Sequence, residues 1–129
     1  MMTDPIADML TRIRNAARAK KSELVLPHSR IKWEIAKILE KGGYLERVLD
    51  VPGPRREIRL VIRFEAGAPR VQDLKRISKP GRRVYVGWQE IPRVLSGYGM
   101  AIVSTSQGMM PGHEARARKL GGELICEVS

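Results

Sequence analysis

Three consecutive hydroxyl side chains, at positions 104–106, end a stretch of apolar residues. The segment reads Ile-Val-Ser-Thr-Ser-Gln-Gly over positions 102–108, so it offers short hydrogen-bond donors and acceptors with very little bulk. Such a segment suits close contact with a polar ligand. Because the chain has 24 Lys and Arg against 14 Asp and Glu, for a net charge of +10, that ligand is predicted to be negatively charged. Nucleic acid is the ligand class that this charge favours.

Two other interpretations of the hydroxyl segment stay open at this point. The first is a polar turn that leaves a strand and binds nothing. The second is a nucleophilic serine, which requires a general base because a serine hydroxyl at its ordinary pKa is a weak nucleophile. The two histidines, His28 and His113, have no triad-like context, and the sequence has no Gly-x-Ser-x-Gly motif. The sequence therefore predicts that the protein is not an enzyme.

A basic turn at positions 79–83, Lys-Pro-Gly-Arg-Arg, is the second candidate site. Lys79 and Arg83 are predicted to contact phosphates, although a solvated turn is the alternative. Tyr85 follows in a predicted strand, where its ring either packs in the core or stacks on an unpaired base. Glu123, after two glycines, is either an edge-strand charge or an acceptor for a base amino group.

Composition predicts a soluble cytoplasmic protein of one domain or two small ones. Residues 1–64 and 65–129 are both cationic, which favours a broad or two-part binding surface. Cys126 is the single cysteine, so an internal disulfide is excluded and a reducing compartment fits. The sequence shows no metal-ligand pattern, no cofactor motif, no signal peptide and no apolar run near the roughly 20 residues of a membrane span.

Local patterns predict an N-terminal lobe of order α-β-α-β-β over residues 1–66. Asp4-Pro5 starts the first helix, whose apolar stripe leaves a basic face opposite. Ser29 caps the second helix, which ends at Gly42-Gly43. A strand at 23–26 and a hairpin of 44–50 with 57–65 complete this lobe.

A linker at 67–72 is predicted to lead into a C-terminal lobe over 73–129. Short strands are predicted at 74–78, 84–87 and 100–105, and a last strand at 123–128. A helix is predicted over 114–120, with at most a helical turn in 90–95. The lobe is mostly β with a short helix, so the whole chain is predicted to be α+β in two small lobes.

Four blocks of sequence closely resemble the bacterial small-subunit ribosomal protein S-eight family. They read Asp-Pro-Ile-Ala-Asp-Met-Leu-Thr-Arg-Ile-Arg-Asn-Ala at 4–16 and Arg-Ile-Ser-Lys-Pro-Gly-Arg-Arg-Val-Tyr at 76–85. The other two read Gly-Met-Ala-Ile-Val-Ser-Thr-Ser at 99–106 and Gly-Gly-Glu-Leu-Ile-Cys at 121–126. The blocks are long, ordered and spread over the full chain, with a variable middle near 44–72.

The resemblance implies a structural constituent of the small ribosomal subunit, located in cytoplasmic ribosomes. It implies early binding to the central domain of 16S rRNA, help in assembling the platform of the 30S subunit, and neighbouring small-subunit ribosomal proteins as further partners. In the family, the C-terminal lobe grips an irregular RNA helix in its minor groove, which is shallow enough for short hydroxyl side chains. The N-terminal lobe sits against neighbouring RNA backbone.

The predicted RNA-binding residues fall into two sets. In the C-terminal lobe they are Ser104, Thr105, Ser106, Gln107, Tyr85, Gly122 and Glu123, with Lys79 and Arg83 in the basic turn. In the N-terminal lobe they are Thr3, Asp4, Arg12, Arg14, Asn15, Ser29, Arg30 and Lys32.

Two positions depart from the family pattern. Gln107 stands where the family commonly has lysine, so one phosphate contact is expected to be lost. Pro111-Gly112-His113 replaces a common Thr-Asp-Arg start of the last helix, so the usual side-chain cap is missing and a later helix start is expected.

Three functional hypotheses follow from the sequence. The first is a structural rRNA-binding protein. The second is a repressor that binds the mRNA of its own operon, which some family members do through an mRNA mimic of the rRNA site. The third is an enzyme acting on RNA or an acyl substrate through the serine cluster, which would require a general base.

Overall fold

The computed structural model describes residues 4–129, with Ser96 described by its backbone alone. The α-helices within this range are α1 (Pro5–Arg18), α2 (Arg30–Lys41) and α3 (Gly112–Ala117). The strands are β1 (Glu23–Pro27), β2 (Leu45–Val51), β3 (Glu57–Ile62), β4 (Phe64–Glu65), β5 (Ala68–Pro69), β6 (Leu74–Arg76), β7 (Tyr85–Val86), β8 (Met100–Thr105), β9 (Gly108–Pro111) and β10 (Gly122–Val128). Two 3-10 turns span Trp88–Glu90 and Val94–Gly97. The predicted α+β class is confirmed.

The described chain divides into two compact units. We call residues 8–72 the first unit, and residues 4–7 together with 73–129 the second unit. The division after Gln72 falls at the end of the predicted linker, whereas the grouping of residues 4–7 with the second unit was not predicted. An ion pair within the second unit accounts for that grouping, because Arg76 Nε lies 3.1 Å from Asp4 Oδ2 and both side chains are largely buried.

The first unit is built on an antiparallel sheet of strand order β1-β3-β2. Alternation along β3 buries Ile58, Leu60 and Ile62, as their spacing of two predicts. Helix α2 begins as predicted at Ser29, whose hydroxyl accepts a hydrogen bond from the Lys32 N–H at 3.2 Å. The predicted α-β-α-β-β order is therefore the observed one, with a small β4-β5 hairpin added.

The second unit is built on a sheet of strand order β6-β10-β8-β9, in which β7 also pairs with β10. Strand β10 is thus central, because it pairs with β6, β7 and β8, all antiparallel. One face of this sheet packs a core that contains Val103, Met110, Ala115 and Leu124. The predicted strands at 74–78 and 84–87 are shorter than expected.

Helix α3 starts two residues before its predicted first residue, so the expected later start is wrong. Pro111 occupies the N-cap position with extended backbone and gives no side-chain cap. Gly112 is the first residue of the helix, and it is buried where a Cβ would come within 2.9 Å of Ile91 Cγ2, so the position favours glycine. The helix ends early because Lys119 has φ +58 and the Leu120 N–H bonds back to the Ala115 carbonyl at 2.9 Å.

Strand β9 was not predicted. Its sequence, Gly-Met-Met-Pro, has no polar-apolar alternation and ends in a proline. It forms because the hairpin with β8 buries Met110 against the core.

Candidate nucleic-acid interface

Side chains from four strands line up across the sheet of the second unit. Tyr85 in β7 pairs with Glu123 in β10, Glu123 with Ser104 in β8, and Ser104 with Met109 in β9. Directly paired residues of antiparallel strands point to the same face. These four side chains, which we call the Tyr85 row, therefore lie side by side. Tyr85 is 70% exposed, and the other three are partly exposed.

The pairing next to the Tyr85 row explains why position 122 is a glycine. This residue pairs with Val86 on one side and with Thr105 on the other. A Cβ at Gly122 would collide with the backbone carbonyl oxygen of Ser104. Strands β8 and β10 therefore reach this separation only because position 122 has no side chain. Gly122 shapes the Tyr85 row whether or not it touches a ligand.

The hydroxyl segment divides into three different environments. Ser104 belongs to the Tyr85 row, whereas Thr105 closes a two-residue hairpin turn with Gly108. The Thr105 hydroxyl donates to the Gly108 carbonyl at 2.7 Å and accepts from the Gln107 N–H at 3.1 Å. Gly108 has φ +110, a left-handed value that favours glycine. Ser106 and Gln107 form the exposed tip, which we call the hairpin tip.

The guanidinium of Arg118, the residue that follows α3, reaches the hairpin tip. Arg118 Nη1 lies 3.5 Å from Gln107 Oε1, and Arg118 Nη2 donates to Glu114 Oε1 at 3.0 Å. The position at which the family commonly has lysine is therefore next to a cation from another element.

The Glu123 carboxylate is engaged inside the protein. Its Oε2 accepts from Ser78 Oγ at 2.5 Å and from Arg83 Nη1 at 3.0 Å. Burial raises the pKa of Glu123, but the hydrogen bonds from Ser78 and Arg83 outweigh burial and hold that pKa below its ordinary value of 4.5. Glu123 is therefore ionised at neutral pH and carries a cation beside it.

The basic turn at 79–83 stands next to the Tyr85 row. Two backbone hydrogen bonds join Lys79 and Arg82, at 3.1 and 3.0 Å, and tighten the turn. The side chains of Lys79, Arg82 and Arg83 are exposed. Three cations thus project just before Tyr85 in the chain.

In the first unit, predicted site residues of α1 border an open cleft. Arg12 and Asn15 line it together with Lys21 and residues 23–25 of β1, and its volume is about 550 Å³. The Arg12 guanidinium donates to the Val25 carbonyl at 2.8 Å. Arg14 is partly buried.

The remaining predicted residues have roles in helix starts. Ser29 caps α2, where Arg30 pairs with Glu34 at 3.3 Å and Lys32 is partly buried. Asp4, in the second unit, accepts from the Ala7 N–H at 3.2 Å in addition to its ion pair. Thr3 lies outside the described residues.

The structure thus brings together, in the second unit, the predicted residues Lys79, Arg83, Tyr85, 104–107 and 122–123. The predicted first-unit residues lie on α1 and at the start of α2. Sequence reasoning missed Ser78, Met109 and Arg118 as neighbours of the site. Ser78 alone left a signal, since it directly precedes the basic turn within the second of the blocks that resemble the family.

Side chains that could support other chemistry are engaged elsewhere. His28 stacks with Trp33 at a centroid distance of 6.2 Å, and burial raises the pKa of the Cys126 thiol to about 12. Over residues 4–129, no group of three or more His, Cys, Asp and Glu side chains could hold a metal ion. Within the same range, each helix is too short or too polar to cross a membrane.

Known proteins with similar sequences indicate the class of protein to which the chain belongs. Each of three such relatives is a small ribosomal subunit protein uS8. The one from Nitratidesulfovibrio vulgaris (strain Miyazaki F) is 53% identical over 128 residues, which cover 99% of each chain. The one from Dictyoglomus thermophilum is 50% identical over 98% of each chain. The one from Burkholderia multivorans is 46% identical over 99% of this chain and 98% of the relative.

The sequence profile of ribosomal protein S8 matches residues 4–129. The chain therefore belongs to the ribosomal protein S8 family, whose members are proteins of the small ribosomal subunit. The resemblance found in the four sequence blocks is confirmed.

Proposed function

We propose that this chain binds the central domain of 16S rRNA through the Tyr85 row and the hairpin tip, and helps to assemble the platform of the 30S subunit. The observation that carries the proposal is the register of the strands. It sets an exposed tyrosine ring, a hydroxyl and a carboxylate paired with a cation side by side on one sheet face. Neighbouring small-subunit ribosomal proteins are expected partners in the assembled ribosome.

The chemistry of this surface fits the minor groove of an RNA helix. That groove is wide and shallow, and it displays 2′-hydroxyl groups that donate and accept hydrogen bonds. Ser104 and Ser106 have short side chains that reach into such a groove without steric conflict. The exposed Tyr85 ring offers a flat surface for a base or ribose at a site where the RNA stacking is irregular.

Cations around this surface supply the sequence-independent part of binding. Lys79, Arg82 and Arg118 flank the Tyr85 row and the hairpin tip, where they neutralise phosphates. In the first unit, Arg12 and Lys21 beside the α1 cleft would contact a neighbouring stretch of RNA backbone. An mRNA of its own operon that mimics the rRNA helix would bind the same surface.

Binding to a short RNA tests the proposal. The RNA carries the central-domain helix from the same genome, and a scrambled duplex of equal length is the comparison, over a series of salt concentrations. We expect binding about a thousandfold tighter than to the scrambled duplex near physiological salt. Equal binding to the two RNAs would mean that net charge alone drives association.

Ser106→Ala separates the hairpin tip from the rest of the surface. Loss of this hydroxyl leaves an RNA group without its partner, so affinity should fall by about 1–2 kcal/mol. The matched control is Ser22→Ala, which removes an exposed hydroxyl of the first unit. Unchanged affinity for Ser106→Ala would place the hairpin tip outside the groove.

A further inference from the structure

Ser78 is a buried hydroxyl with both of its hydrogen-bonding functions in use. It has no exposed surface, it accepts from the Val84 N–H at 3.1 Å, and it donates to Glu123 Oε2. The two protein groups that it joins lie in different segments of the site: Val84 immediately precedes β7, and Glu123 lies in β10. An alanine at this position would leave a backbone donor and a carboxylate without their shared partner.

The basic turn is fixed at both of its ends by the same strand. The Ser78 N–H donates to the Leu124 carbonyl at 3.1 Å, and the Leu124 N–H donates to the Val84 carbonyl at 2.9 Å. The Ser78 hydroxyl closes the loop between these ends through Val84. The orientation of residues 79–83 therefore depends on the Ser78 hydroxyl as well as on backbone pairing.

Glu123 links the Ser78 hydroxyl to a cation. Its Oε2 receives both the Ser78 hydroxyl and the Arg83 guanidinium, so the three side chains form a continuous chain of hydrogen bonds. The Arg83 side chain is 49% exposed, whereas that of Glu123 is 18% exposed. A partly buried carboxylate thus holds an exposed guanidinium at the border of the Tyr85 row.

We propose that Ser78 is a positioning residue for RNA binding, which acts through Glu123 to hold Arg83 and the basic turn in the orientation that meets the RNA backbone. This inference rests on the proposed function of the surface. Glu123 then serves mainly to aim a cation, and a carboxylate is tolerated on a surface for an anionic ligand because Arg83 compensates its charge.

A double-mutant cycle on the full chain tests this role. The variants are Ser78→Ala, Arg83→Gln and the double variant, measured on the central-domain RNA and on the scrambled duplex over the salt series. Ser78→Ala should weaken binding to the central-domain RNA by about 5- to 10-fold, as for loss of one hydrogen-bonded contact. Its salt slope should fall by about 0.7–0.9, the value of one lost phosphate contact.

The double variant decides between positioning and independent action. If Ser78 acts through Arg83, the double variant should bind within about twofold of Arg83→Gln alone. The proposal would be overturned if the two substitutions lower RNA affinity by factors that multiply in the double variant. Unchanged RNA affinity in a folded Ser78→Ala protein would overturn it as well. Ser78→Thr keeps the hydroxyl and should restore the wild-type salt slope.

Two further measurements keep the result interpretable. If Ser78→Ala does not fold, Glu123→Gln replaces it in the cycle, because the amide still accepts from Ser78 but no longer attracts Arg83 as an anion. If the wild-type protein shows no preference for the central-domain RNA, the proposed function fails. A wild-type preference that Ser78→Ala retains in full, with an unchanged salt slope, removes only the role of Ser78.

Discussion

Serine and threonine hydroxyl groups of the second unit differ in what they do, although their chemistry is the same. The Ser78 hydroxyl is buried and links Glu123 in β10 to Val84, the residue before β7, whereas the Thr105 hydroxyl closes the hairpin turn. Ser106 presents its side chain at an exposed tip. The residue type predicts a polar surface, but only the hydrogen-bond partners separate structural hydroxyls from exposed ones.

Gly122→Ala should damage the site through the backbone. The added methyl group would meet the Ser104 carbonyl, so β8 and β10 must separate, at a cost of about 1–3 kcal/mol in the free energy of unfolding. Urea denaturation measures this cost. Gly87→Ala is the matched control, since nothing lies within 4 Å of its new Cβ, and it should change stability by less than about 0.5 kcal/mol. Equal effects of the two substitutions would contradict this account.

Glu123→Gln should lower stability in a pH-dependent way. Hydrogen bonds from Ser78 and Arg83 lower the pKa of Glu123 in the folded protein, so the carboxylate contributes stability above pH 4.5, its ordinary pKa. This contribution is lost as the pH falls through the lowered value. The difference in unfolding free energy between wild type and variant should therefore be about 1–3 kcal/mol near pH 7 and should shrink below pH 4.5.

An exposed carboxylate provides the comparison for Glu123→Gln. Glu46 is exposed, and its carboxylate lies 4.0 Å from Arg63. Glu46→Gln should change stability by less than about 0.5 kcal/mol at pH 7. A Glu123→Gln difference that stayed constant from pH 7 to pH 3 would show that the ionised carboxylate is not the stabilising form.

At the scale of elements, the helices and strands that have a local sequence signal were predicted from that signal. Three such signals each involve residues close together in the chain, and the structure confirms each one. They are the Asp4-Pro5 helix start, the Ser29 cap and the alternation along β3. Strand β9 lacks such a signal, because it is a strand only by pairing with β8. The contact of Ser78 with Glu123 joins residues 45 positions apart and depends on the register of β10, which no local pattern specifies.

Lys119 tests why α3 ends where it does. Its φ of +58 is a left-handed conformation that costs a side-chain-bearing residue about 1 kcal/mol, which glycine avoids. Lys119→Gly should therefore unfold at higher urea concentration than Lys119→Ala. The pair is matched, because both variants lose the ammonium group that lies 6.0 Å from the Trp88 ring centroid. Equal urea midpoints for the alanine and glycine variants would instead attribute the helix end to the hydrogen bond from the Leu120 N–H to the Ala115 carbonyl.

At the scale of the whole molecule, positive charge is shared unequally between the two units. The first unit has 15 basic and 8 acidic residues, for +7, whereas the second has 9 and 6, for +3. The less charged unit carries the Tyr85 row. If the chain binds RNA as proposed, this distribution favours a mainly electrostatic contribution from the first unit and discrimination between RNAs by the second unit.

Arg12→Gln should therefore change the salt dependence of binding without changing selectivity. The salt slope should fall by about 0.7–0.9, while the ratio of affinities for the central-domain and scrambled RNAs should stay within about twofold. Fluorescence anisotropy over a salt series measures both quantities. Arg59→Gln, which removes an exposed cation from β3, is the control and should leave the slope unchanged. A change of selectivity in Arg12→Gln would give α1 a part in reading the RNA.

Because β10 is the central strand of its sheet, the proposed RNA recognition depends on complete folding. Tyr85 and Ser104 are neighbours only because Glu123 lies between them, on a strand that is synthesised after both. A nascent chain that has produced β7 and β8 but not β10 has all the cations of the basic turn and no Tyr85 row. If the Tyr85 row discriminates between RNAs as proposed, such a chain would associate with RNA by charge alone, and selectivity would be acquired only when the last strand of the sheet pairs.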